Sequence, residues 1–182
     1  MRVMAFVDGE NLAMRFKAMQ KAGRELKPGL DLRHEPNVYV WKEGGSFTYE
    51  LRTYKVLRCI LYTSAVGDDK KLDSIRAEIR KLGMSGAGRV SLYPVVLKKD
   101  KSEAKAKGVD IQLCVDVLCH AHGANADLIW LFTGDGDFVP LIREVIRSGR
   151  TVWLSAFSSG LNPELPYVVD RFFSLDEEFF SP

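Results

Sequence analysis

No apolar run in this sequence reaches the roughly 18 residues that a membrane-crossing helix needs, so the sequence predicts no membrane partner. A secretory leader is not evident either. The apolar run after Met1 and Arg2 ends at Asp8, which suits a short strand over residues 3–7 better than a signal peptide. Cysteine is scarce: Cys59, Cys114 and Cys119 are odd in number and lie in apolar segments, which predicts reduced, buried thiols in the cytoplasm. Cys114 and Cys119 lack the spacing and histidine partners of a zinc site. Histidine is scarce too, with His34, His120 and His122 scattered and His120 expected to face solvent. The sequence has no Gly-x-Ser-x-Gly elbow and no plausible catalytic Cys/His pair, so it offers no convincing protein nucleophile. A net charge of +2 selects no partner by itself. Repeats and low-complexity segments are absent.

What is present suits one domain. The chain has 182 residues, 46% of them apolar and 27% charged, enough for a single full core. Short apolar runs at 3–7, 57–63, 90–97, 128–132 and 152–156 read as strands. Helical periodicity marks 11–21, 69–82, 109–121 and 138–146 between them. Strands that are apolar on both faces and alternate with helices predict an α/β fold, a central, mainly parallel five-stranded sheet flanked by helices. Residues 22–50 read as a long Gly-, Pro- and charge-rich excursion at the domain edge. Residues 157–182 form an extension beyond a core of about 1–156. Its Phe172, Phe173, Phe179 and Phe180 predict packing on the domain or on a second copy, as a homodimer.

In such a sheet, function gathers at the carboxyl ends of the strands. Asp8 directly follows the first strand, in Val7-Asp8-Gly9-Glu10-Asn11. Asp135 and Asp137 follow the fourth, in Thr133-Gly134-Asp135-Gly136-Asp137-Phe138. Asp110 opens a helix, in Lys107-Gly108-Val109-Asp110. At about 100° per residue, Gln112, Asp116 and His120 share a polar stripe, whereas Asp110 falls in register with Cys114, Val117 and Ala121. A carboxylate on an apolar face is costly, and a helix N-terminus offsets only part of the cost. Singly, each acid has an ordinary reading: Asp8 as a turn residue, Asp137 as an N-cap, Asp110 as a first-turn acid. Together at one sheet edge they predict a shared site for a hard divalent cation, Mg²⁺ or Mn²⁺. Such a cation polarises a phosphodiester and activates water.

These motifs, in this order and spacing, resemble the NYN (LabA-like) division of the PIN-like nuclease superfamily over roughly residues 1–156. The resemblance implies a three-layer PIN-like fold and metal-dependent cleavage of RNA. It gives catalytic and metal-binding roles to Asp8, Asp110, Asp135 and Asp137, and orienting or substrate-binding roles to Asn11 and Thr133. Asp116 coincides with a further acid of that division and is a secondary candidate. Nothing in the sequence separates RNA from DNA as substrate.

Lys98, Lys99, Lys101, Lys105 and Lys107 crowd one stretch before Asp110 and are expected to guide phosphate, Lys107 closest to the scissile group. Two other functions compete. A haloacid-dehalogenase-like phosphatase needs a second Asp two residues after the first, where this sequence has Glu10. A non-catalytic RNA-binding or assembly module would keep the acids for structure or metal alone.

Overall fold

A computed structural model describes residues 1–43, 54–85, 88–102, 106 and 108–182. Among them, seven strands form one sheet. Strand β1 (Arg2–Asp8) lies at its centre and leads into helix α1 (Gly9–Lys21). A hairpin, β2 (Leu32–Glu35) and β3 (Tyr39–Lys42), forms a separate small sheet. Then follow β4 (Lys55–Ala65), α2 (Asp69–Lys81), β5 (Gly83–Ser85), β6 (Arg89–Lys98) and α3 (Val109–His122). The chain continues through β7 (Leu128–Phe132), a 3₁₀ turn (Gly136–Phe138), α4 (Val139–Arg147) and β8 (Thr151–Ala156). It ends with α5 (Leu165–Val168), β9 (Arg171–Ser174) and α6 (Asp176–Phe179).

The sheet order is β5-β6-β4-β1-β7-β8-β9, parallel throughout except where β5 pairs with β6. All five expected strands are present, and β5 and β9 widen the sheet to seven. Side chains alternate across it. Val3, Ala5 and Val7 of β1 face a core built with α1, α2 and the hairpin, while Met4 and Phe6 face one built with α3 and α4. Burial on both faces explains why these strands read as unbroken apolar runs.

Two expectations are corrected. The described part of the 22–50 excursion does not skirt the edge: Val38 to Trp41 are buried, and Trp41 Nε1 donates to the Gly83 carbonyl at 3.0 Å. The thiols are not uniformly buried, since Cys59 is buried but Cys119 is exposed. Burial raises the Cys59 thiol pKa well above its ordinary range.

The extension packs on its own chain. Strand β9 joins β8 in parallel, and Phe179 and Phe180 are buried against Phe16 and Phe157, with ring centroids 5.0–6.0 Å apart. Phe180→Leu keeps the apolar volume class but loses the ring contacts, and should destabilise the fold by about 1–1.5 kcal/mol in urea titrations. A neutral result would mean that the extension docks without contributing to the core. Among the described residues, no helix is long and apolar enough to cross a membrane.

Candidate active site

The chain order fixes where a site can form. From β1 the chain moves one way to β4 and β6, whereas from β7 it moves the other way to β8 and β9. The carboxyl ends of the neighbouring strands β1 and β7 therefore flank a topological switch point, where the diverging connections leave a crevice. Asp8 ends β1, and Thr133 to Asp137 follow β7.

Asp8 is fully buried. It caps α1, its Oδ1 accepting from the Asn11 backbone N–H at 3.2 Å, so the helix begins at Gly9, two residues before the periodicity shows. Its Oδ2 accepts from the Thr133 hydroxyl at 3.2 Å. That hydroxyl in turn accepts from the Asp135 N–H at 3.2 Å, and Asn11 Oδ1 accepts from the Gly134 N–H at 3.0 Å. These bonds tie the two motifs into one unit. Gly9 is required here by close approach, because a Cβ would lie 2.9 Å from the Leu61 side chain and 3.0 Å from the Val38 carbonyl oxygen.

Asp135, not Asp137, is the capping acid. Asp135 Oδ1 accepts from the Asp137 N–H at 3.0 Å and starts the 3₁₀ turn, while the Asp137 side chain is exposed at the rim. Asp110 lies in the first turn of α3, which starts at this same edge because the chain leaves β6 there. It is half-buried, and its charge helps burial to raise the Cys114 thiol pKa.

The polar stripe of α3 does not simply face water. Asp116 accepts from the Tyr62 hydroxyl at 2.7 Å and from Gln112 Nε2 at 2.9 Å, and the half-buried His120 ring lies 6.0 Å from Phe6. Burial, then the Asp116 carboxylate, push the Tyr62 phenol far up in pKa, so it stays a donor. Asp116 is thus committed to Tyr62 against the sheet.

The lysines divide. Lys98 and Lys101 are exposed, whereas the Lys99 side chain is only 9% exposed and its Nζ lies 2.6 Å from Glu10 Oε1. Lys105 and Lys107 lie outside the described residues. Glu10 is itself buried, and its Oε1 also accepts from the Ser64 hydroxyl at 2.5 Å. Glu10, Lys99 and Lys101 line a cleft of about 540 Å³ beside α1, together with Lys71, Glu35 and Met14.

Oxygen donors without thiol or imidazole suit a hard cation. Among the described residues, no three Asp, Glu, His or Cys side chains stand together as a ready cage. Magnesium usually needs only one or two carboxylates beside water and substrate oxygens. Asp8 and Asp135, linked through Thr133, offer two.

The sequence matches the NYN domain across residues 2–176. The chain belongs to the NYN domain family. Over 117 residues, 59% of this chain, it is 28% identical to an uncharacterized protein of Methanocaldococcus jannaschii. The chain covers about half of that relative, 49%. Its fold is similar to the crystal structure of a protein of unknown function from Vibrio parahaemolyticus, with a TM-score of 0.62 and 19% identity, covering 99% of this chain and 96% of that one.

The NYN match runs well past Ala156, and the segment after β8 borders the site. The Asn162 N–H donates to the Gly134 carbonyl at 3.0 Å, and its side chain lies over Gly136, where a Cβ would meet Nδ2 at 2.1 Å. Sequence reasoning missed Glu10, Arg15 and Asn162 as neighbours of this NYN site. Glu10 alone left a trace, as a charge in the first helical turn after a buried strand. Arg15 and Asn162 approach through tertiary contacts that no local pattern records.

Proposed function

We propose that this NYN domain is a metal-dependent ribonuclease of the LabA-like, PIN-type kind, working in a reducing cytoplasm on RNA. The observation that carries this reading is the fully buried Asp8 carboxylate at the switch point, held by Thr133 and Asn11 within the family's motifs. Asp8, Asp135 and Asp110 would hold Mg²⁺ or Mn²⁺, with Asp137 at the rim. The bound cation would supply an activated water and charge stabilisation on the phosphodiester. The protein's own part is orientation: Thr133 fixes one oxygen of Asp8, and Asn11 fixes the Gly134 turn that carries Asp135. Exposed Lys98 and Lys101 would draw in the phosphate backbone.

A non-catalytic RNA-binding or assembly module is the second reading, favoured by the lack of a ready three-acid cage among the described residues. Labelled single-stranded RNA and DNA, incubated with Mg²⁺, Mn²⁺ or EDTA, separate the two. Cleavage of RNA with either cation and none in EDTA is expected. Intact RNA under every condition would leave the binding module, and cleavage of DNA alone would change the substrate.

A further inference from the structure

Arg15 lies one helical turn after Asn11 on α1, and its Nε is buried without a hydrogen-bond acceptor. A buried donor left unmet is costly, more so on a charged group. Its guanidinium rests against Gly160, where a Cβ would lie 2.2 Å from Nη1, and Gly160 has a φ of +65° that already favours glycine. The Gly160 carbonyl oxygen is 3.6 Å from the point where a Gly134 Cβ would stand, so Gly160 lies between this cation and the turn that carries Asp135. The carboxylates of Asp8, Asp135 and Asp137 repel a phosphate chain, and a cation on the same side of the sheet edge offsets part of that repulsion.

We propose that Arg15 forms a phosphate-binding subsite flanking the acidic centre, taking a phosphodiester of a nucleic-acid strand that crosses the N-terminus of α1. A guanidinium fork matches two phosphate oxygens at once, which an ammonium does not. The subsite deepens the nuclease reading and rests on its nucleic-acid part, so its test is run without cleavage.

Anisotropy of a labelled 12-nucleotide single strand, titrated in EDTA at several salt concentrations, compares wild type, Arg15→Gln, Arg15→Lys and Lys17→Gln. Lys17 is an exposed cation on the same helix and measures the effect of losing charge alone. Arg15→Gln should weaken binding about tenfold and remove roughly 0.7 from the log–log salt slope, equally for RNA and DNA. Arg15→Lys should keep the slope and lose part of the affinity. An unchanged slope in Arg15→Gln, or an equal loss in Lys17→Gln, overturns the subsite. So does a fall in affinity at constant slope accompanied by a lowered melting temperature, which marks a packing role. If wild type cleaves RNA while Arg15→Gln keeps its slope, the subsite falls and the nuclease stands. If the slope drops but no cation supports cleavage, the subsite stands and the nuclease falls.

Discussion

On the proposed function, Asp8→Asn should lower the rate of RNA cleavage by a factor on the order of 10³, because a cation held through this oxygen would supply several kcal/mol of transition-state stabilisation. The fold should barely notice, with stability changing by no more than about 1 kcal/mol. Asparagine is a good N-cap and can still accept from the Asn11 N–H. On the other side its amide would face the Thr133 hydroxyl, which can rotate to accept it while still accepting from the Asp135 N–H. Single-turnover cleavage and urea titration of the same preparation measure both quantities. Wild-type cleavage by the Asn variant would remove Asp8 from the chemistry. Lost cleavage accompanied by unfolding would make Asp8 a structural cap.

Glu10→Ala should destabilise the protein by about 3–5 kcal/mol, because it removes a carboxylate 2.6 Å from the Lys99 ammonium where that side chain is 9% exposed. For a chain of this length that lowers the melting temperature by roughly 10 °C or more. Replacing both partners with methionine should recover much of the loss, since the desolvated ammonium is then removed along with the carboxylate. Thermal melts of the single and double variants test this. A loss below about 1 kcal/mol in Glu10→Ala would mean that Lys99 finds water, and that the cleft is wetter than its burial implies. The result also separates two jobs within the lysine run. Lys99 fastens the end of β6 to α1, whereas Lys98 and Lys101 remain exposed for phosphate.

Sequence periodicity located β1, β4, β6, β7 and β8 because each is buried on both faces and therefore apolar almost without break. It did not find β5 and β9, which are short and lie at the sheet's edges, where only part of each strand must be apolar. The hairpin was hidden for a similar reason: only Tyr39 to Trp41 of its strands are buried, within a polar stretch. The helical wheel placed Asp110 apart from Asp116 correctly but misjudged the stripe of Asp116 and His120. A wheel describes one helix, and what that stripe meets depends on Tyr62 and Phe6 from two strands far away in the chain.

The sequence by itself determined the α/β class, the order of the main elements and the position of Asp8 and Asp135 at or just past the carboxyl ends of strands. Those follow from local pattern and from the rule that parallel strands gather function at their carboxyl ends. Only the tertiary structure decided that Asp135 caps the turn while Asp137 is exposed, that the Lys99 side chain is buried against Glu10, that Asn162 lies over Gly136 and that Arg15 rests on Gly160. The last three depend on which remote part of the chain approaches a side chain, and so on the desolvation and hydrogen bonding that the approach imposes. No property of the residue's neighbours in sequence carries that information.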